Sequence, residues 1–462
     1  MEKISSFLKE EKVILFIVLF AFLLRLLFRS PWLEDWDSVQ FALALHDYSL
    51  VDHQPHPPGY ILYVLLGKFI NFFLNNDTLA LTLLSAVLGA LTTIPFYLLA
   101  RKFTGKVWAI LATAILLVTP IHWTLSEVAL TNVPGMFFAV TTALILYQGK
   151  QSRLYLLAGS FLAGITLGVR FAEYSILLTL LGLVLLWRKN WWDVIKSGVY
   201  FSAGIFVWLV PLIIDTGWQE LMRAYTTQAN YIATHDSLAA SLSMSSRLLR
   251  IKELFVMGYS VYFFPLLILI AWFLIKYREE IKQFKNTFLL VWLLAYFIPL
   301  AFIYNLEVPR HVLPLLPPLA LLIGSALKKL KNQKSSTVIF VGILIAMFSK
   351  SLDQVQKIHT LTPPTIAPVS YVKEKFDPET TILITTFTYR QFQYYAPEFT
   401  NFYADVTEKT QLKDNVVTDS VKIKEQIPIL AEYRTVSKKS FWGPEDIFPR
   451  ISYTNLYFLQ KN

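Results

Sequence analysis

Hydrophobic positions along this chain do not alternate with polar ones. They gather into blocks of roughly 15 to 22 residues divided by short charged or polar connections, the length a helix needs to cross a ~30 Å hydrocarbon layer. Eleven such blocks predict eleven spanning helices, near 13–29, 79–100, 107–121, 129–147, 154–169, 172–187, 197–214, 256–275, 287–304, 311–327 and 336–350. The first is read as a retained span, because no small-residue cleavage site follows Phe28-Arg-Ser-Pro-Trp32. The run from Tyr60 to Leu74 is apolar but short and carries Lys68 and Asn71, so it is expected to lie on, or dip into, the interface.

From Ser351 the pattern changes. Lys, Asp, Glu, Thr and Gln return, and no later run could cross a bilayer. Thr380–Thr386, Ile429–Val436 and Tyr453–Leu459 read as strands and Tyr389–Ala396 as a short helix. The expected architecture is therefore an all-α polytopic membrane domain over residues 1–350, with its first outer loop at 30–78, followed by a small α/β soluble domain over 351–462.

Composition agrees with that division. Of 462 residues 55% are hydrophobic and 16% charged, against about 25% charged in an ordinary soluble domain. With no cysteine, disulfides, thiol chemistry and Cys-ligated zinc are excluded. The formal charge of +10 is not the mark of nucleic-acid binding, since no RNA- or DNA-binding motif accompanies it. Instead the cations cluster by side. Lys3/Lys9/Lys12, Arg101/Lys102/Lys106, Lys150/Arg153, Arg188/Lys189/Lys196, Lys276/Arg278/Lys282/Lys285 and Lys328/Lys329/Lys331/Lys334 all fall on one face of an eleven-span count. Cationic short loops are retained in the cytoplasm, which predicts a plasma-membrane protein with a cytoplasmic N-terminus and an extracytoplasmic C-terminal domain.

The outward loops hold the candidate chemistry. Acids and histidines concentrate in the first of them, with Glu34, Asp35, Asp37, Asp47 and Asp52 beside His46, His53 and His56. A carboxylate at a lipid-facing mouth is suited to take a proton from a hydroxyl, and Asp37, at the start of an amphipathic helix, is the candidate base. Asp35 is the alternative, and one of the two could simply cap that helix. Asp35-x-Asp37 with a histidine could also hold Mg²⁺ or Mn²⁺, although no complete metal-ligand set is assigned. Glu127 is a second acidic candidate. Arg170 and Arg310 are the sole cations of two short outward turns, and Arg25 and Arg29 end the first span; a guanidinium there can bind a phosphate bidentately or snorkel to headgroups. Tyr60 suits sugar stacking or an interfacial aromatic belt, and the stretch Tyr225–Asp236 could cover a substrate as a gate.

These residues stand in an order that resembles a known family. Asp37-Ser38 with an Ala/Leu-rich helix, then His56-Pro-Pro-Gly-Tyr60 and a short apolar helix, is similar to the first outer loop of the GT-C glycosyltransferases, in particular prokaryotic relatives of protein O-mannosyltransferases and lipid A aminoarabinose transferases. Tyr97-Leu-Leu-Ala-Arg101, Ser126-Glu127 through Asn132 to Phe137-Phe138, Leu167-Gly-Val-Arg170 and Glu307-Val-Pro-Arg310-His311 through Pro317 continue the resemblance over about residues 10–330. The sequence departs from that pattern at Ser38, at Asn132 where an Asp is frequent, and at His311 where a Tyr is usual. The resemblance implies inverting transfer of a sugar, such as a hexose like mannose, from a polyprenyl-phosphate donor to a lipid, glycan or protein acceptor at the outer membrane face. His56, Tyr60, Arg170, Arg310, His311 and Arg29 are then expected around the donor and Asp37, Asp35 and Glu127 at the chemistry. A transporter or lipid flippase is the competing reading, set against by the absence of paired inverted halves and by the gathering of polar residues at one surface.

Overall fold

The computed structural model describes residues 2–236, 243–404, 412–448 and 451–462. The helices run in chain order α1 (Glu2–Phe28), α2 (Trp36–His46), α3 (Ile61–Leu74), α4 (Asp77–Leu91), α5 (Thr93–Thr104), α6 (Lys106–Val118), α7 (Pro120–Leu125), α8 (Asn132–Gly149), α9 (Arg153–Val169), α10 (Tyr174–Arg188), α11 (Trp191–Thr216), α12 (Trp218–Tyr231), α13 (Met244–Tyr259), α14 (Phe264–Lys276), α15 (Phe284–Phe302), α16 (Leu316–Lys328) and α17 (Gln333–Thr360). Among the described residues six stretches are long and apolar enough to cross a membrane, seven if one bent pair counts as a single span. Asp77–Thr104 is one of the six, with Thr92 joining α4 to α5, and Pro309–Lys328 is another, entering through a 3₁₀ turn at Pro309–Leu315.

One element differs from the expected pattern. The run 256–275 is broken at Ser260, where α13 meets the following helical segment at 100°. Ser260 takes a positive φ of 70°, so the apolar run is divided by a corner that hydropathy does not register. Tyr225 and its neighbours belong to the regular helix α12. The short α3 leaves Phe69, Phe72 and Phe73 exposed while Ile61, Tyr63, Val64 and Gly67 pack inward, as an interfacial helix would.

Small residues set the closest helix approach. Gly164 on α9 and Gly204 on α11 face each other, so that a Cβ on either would strike the partner's backbone. The change of composition at 351 falls inside α17, which runs unbroken to Thr360. Beyond it come α18 (Ala367–Lys375), β1 (Thr381–Ile384), α19 (Tyr389–Tyr395), β2 (Thr400–Phe402), β3 (Asn415–Thr418), α20 (Val421–Gln426), β4 (Tyr433–Trp442) and β5 (Tyr453–Lys461). The sheet order is β2-β1-β3-β5-β4, with β1 parallel to both its neighbours and β5 antiparallel to both of its own. Of the expected strand 429–436, the first part is a 3₁₀ turn over Pro428–Glu432 and only the end joins β4, because Pro428 supplies no N–H for a ladder.

The α9/α11 contact gives a direct test. Gly164→Leu should lower stability by about 2 kcal/mol or more through overpacking, read as a fall in melting temperature of the detergent-solubilised protein, while Gly182→Ala, where nothing lies within 4 Å, should leave it unchanged.

Candidate active site

The first loop is folded by its own polar side chains. Asp35 caps α2, its Oδ1 accepting the Asp37 N–H at 2.9 Å, which leaves Asp37 in the first helical turn with its carboxylate turned elsewhere. That carboxylate meets Arg310. Arg310 Nη2 donates to Asp37 Oδ2 at 2.7 Å and Nη1 to Asp35 Oδ2 at 2.9 Å, so one planar guanidinium bridges both acids across 273 and 275 positions of sequence. All three side chains are about one-fifth exposed or less.

His56 stands at the side of this bridge. Its Nδ1 lies 2.7 Å from Gln40 Oε1 and 3.7 Å from Asp37 Oδ1, and Tyr60 Oη lies 3.3 Å from Nε2. With Nδ1–H donating to Gln40 and Nε2 accepting the phenol proton, the imidazole is neutral. Burial holds its pKa below the ordinary value, against the opposite pull of Asp37. Burial also pushes the Tyr60 phenol up to about 12, with Arg170, Asp37 and Arg310 all near enough to act on it. Arg170 completes the group. Its Nη1 donates to Thr131 at 2.8 Å and its Nε lies 3.7 Å from buried Glu173. Gly135 leaves room for the Arg170 side chain, which any Cβ there would strike.

The structure therefore brings Asp35, Asp37, His56, Tyr60, Arg170 and Arg310 together. The other expected residues have partners of their own. Glu127 is fully buried, not at the mouth; Trp123 Nε1 donates to it at 2.8 Å, and Arg25 and Arg29 are its charged neighbours. Arg29 receives the His359 imidazole on its carbonyl oxygen at 2.8 Å. His311 bonds the Asn305 carbonyl at 2.9 Å and its ring lies against Tyr304, 5.4 Å between centroids.

Two participants escaped the sequence reading. Gln40, one turn after Asp37 on the same face of α2, orients His56, and Glu173, three residues after the extended Arg170, lies against it. Asp35 and Asp37 give a divalent cation a poor seat, since Arg310 takes the oxygens that would face it. Among the described residues no three His, Asp or Glu side chains form a metal-binding group.

Comparison with known proteins follows this geometry. The family model for dolichyl-phosphate-mannose-protein mannosyltransferase matches residues 63–227. No curated protein matches the sequence. Among solved structures, ArnT from Cupriavidus metallidurans bound to undecaprenyl phosphate is similar with TM-score 0.57 at 12% identity, covering 96% of this chain and 97% of that one. The chain's fold is similar to that of these GT-C enzymes. The archaeal oligosaccharyltransferase AglB from Archaeoglobus fulgidus, in complex with an inhibitory peptide and a dolichol-phosphate, is similar with TM-score 0.55 at 12% identity over 88% of this chain and 69% of that one. The Archaeoglobus fulgidus oligosaccharyltransferase tethered with an acceptor peptide gives 0.51 at 13% over 84% of this chain, which spans 63% of that protein's length. In this GT-C fold the Asp37–Arg310 bridge joins the first loop to the start of a late helix, the two segments that the sequence motifs single out.

Two outcomes test the site. Removing the guanidinium with Arg310→Met leaves two partly buried carboxylates facing each other and should cost about 3 kcal/mol of stability, and Asp35→Asn/Asp37→Asn in the same background should recover most of it. Glu34, beside the cap, has its carboxyl pushed up to about 8, by burial first and by Asp35 second. Because the folded value lies above the unfolded one, its contribution is present below pH 4.5 and is lost as pH rises through about 8. Glu34→Gln should accordingly flatten the decline of melting temperature across that interval.

Proposed function

We propose that the protein is an integral-membrane glycosyltransferase that moves a sugar from a polyprenyl-phosphate carrier to an acceptor hydroxyl at the extracytoplasmic face, with inversion. The reading is carried by one observation, that two acids and two guanidiniums meet with a histidine and a tyrosine where the helices give way to the first loop. Such a carrier has an apolar tail, a phosphodiester charge and a sugar in water, and its site must offer each of these a matching environment. The fold and the family-model match support the same class.

Asp37 is the base. It accepts the acceptor's hydroxyl proton as the new bond forms at the anomeric carbon, and the bond from that carbon to the carrier phosphate breaks with its electron pair going to the phosphate. Negative charge grows on the departing phosphate, where Arg170 and the N–H groups of Arg310 not spent on the aspartates can hold it. Arg310 thereby couples the two halves of the reaction. Its pairing to Asp37 places the carboxylate next to the phosphate site, and a phosphate drawing the guanidinium toward itself leaves that carboxylate open to the acceptor hydroxyl.

Asp37→Asn should lower kcat by about 10²- to 10⁴-fold with a radiolabelled polyprenyl-phosphate sugar, leaving the KM for the donor nearly unchanged. Retained turnover in that variant would remove Asp37 from the reaction. Arg310→Lys should raise the donor KM, because a point charge cannot hold Asp35, Asp37 and a phosphate at once.

A further inference from the structure

Helix α13 is turned out of the helical layer. Beyond the corner at Ser260, the 3₁₀ turn Val261–Phe263 and α14 hold 3 and 13 residues, about 25 Å of apolar helix, which crosses most of a ~30 Å hydrocarbon layer without help from α13. Joined to that segment at 100°, α13 runs along the surface of the layer. One face of it seats the turn that carries Arg310. Gly258 lies so close to Val312 that any Cβ would strike it, and Tyr259 Oη donates to the Val312 carbonyl, two residues beyond Arg310. Arg247 Nη1 donates to the Ala301 carbonyl at 3.1 Å, and Arg250 Nη2 lies 3.4 Å from Glu307 Oε1. A second flank has no such partner. Leu248, Lys252 and Val256 recur every four residues with Leu249 beside them, and Leu248 and Leu249 are 60% and 53% exposed. Ser246 and Glu253, seven residues apart, share a third, polar flank.

We infer that α13 is a docking surface for anionic phospholipid, with Leu248 and Leu249 in the acyl boundary and Lys252 on a headgroup phosphate, and that this lipid seat holds the Arg310 turn in position. Direction is the first argument: a helix at a right angle to a membrane-crossing segment lies in the plane of the headgroups. Continuity is the second. Val261, Tyr262 and Ile268 beyond the corner are also exposed, so apolar exposure carries on from α13 into the segment that crosses the layer. Charge complementarity is the third, since Arg250 pairs with Glu253 and Glu307 while Lys252 makes no ion pair among the described residues. A lysine on an apolar flank lays its stem along the hydrocarbon and lifts its ammonium to the phosphates. The seat itself stands apart from the chemistry proposed above; only its kinetic readout rests on that reading.

The chain has no cysteine, so Leu248→Cys and Ser246→Cys each give one site for an environment-sensitive NBD fluorophore. The full-length protein is placed in nanodiscs of phosphatidylcholine, with and without phosphatidylglycerol. Quenching of the label at 248 by a lipid with a nitroxide high on its acyl chain, together with protection from iodide, supports the seat when the label at 246 shows the reverse. Equal access of iodide to both positions overturns it. Phosphatidylglycerol should deepen the lipid quenching at 248, and Lys252→Glu should abolish that increment; an increment that survives the substitution, or none at all, overturns the headgroup assignment. For the link to Arg310, Leu248→Glu should raise the donor KM by about tenfold at unchanged melting temperature while Leu248→Phe keeps the original value. An unaltered KM in Leu248→Glu overturns the link, and quenching decides the seat even where no sugar transfer is found.

Discussion

A single guanidinium holds this site in shape. Arg310 grips Asp35 and Asp37 at once, and each pairing does something different. Through Asp35 it fixes the cap of α2, and therefore the direction in which the helix enters the loop. Through Asp37 it fixes the carboxylate proposed as the base. Two acids two residues apart, both poorly exposed, would repel each other in a medium of reduced dielectric; a planar cation with parallel N–H donors is the group that lets both remain. The loop's geometry is thus set from the other end of the chain, by the turn that opens the Pro309–Lys328 stretch.

The C-terminal domain supplies the second constraint. The loop from Leu33 to Trp36 makes little regular structure of its own, so its backbone polar groups need partners from elsewhere. Tyr395 Oη accepts the Leu33 N–H at 2.8 Å, while Gln391 and Thr365 both donate to the Glu34 carbonyl. Tyr394 reaches Asp77 at 2.8 Å, where Asn71 and His46 also converge. Trp36, between the two aspartates, packs against Tyr389 and Tyr403 with Arg390 beside it. The segment that composition marks as separate in this way packs on the first loop, and α17 runs into it without a break.

How much of this was legible in the sequence follows from the range of each interaction. Helices buried in a bundle announce themselves by local composition, so the long apolar stretches and the short α3 were readable. The corner at Ser260 was not, because a positive φ in one residue leaves hydropathy unchanged. Charge concentration pointed to Asp37, Arg170 and Arg310 without showing which of them touch. The burial of Glu127 was not legible either: a lone acid in a short connection reads as solvated, whereas the structure sets its side chain against Trp123. Gln40 went unnoticed since an amide has no charge to draw attention, and its role appears only once α2 sets it against His56.

That inward cluster also bears on what the protein does with charge inside its helical layer. Arg25 donates to the Ala21 and Leu117 carbonyls and lies 3.1 Å from His122, while Trp123 holds Glu127. All are fully buried. A path for a solute or proton needs charged groups that exchange partners and face a channel; here the guanidinium is committed to backbone carbonyls and the carboxylate to an indole within the same turn, joining α1 to α6 and α7. Committed groups of this kind lock helices together. The Arg310–Asp37 pair, by contrast, lies at the loop where the helices end, and the proposed reaction uses it there, where a substrate with one apolar and one polar end would meet both environments.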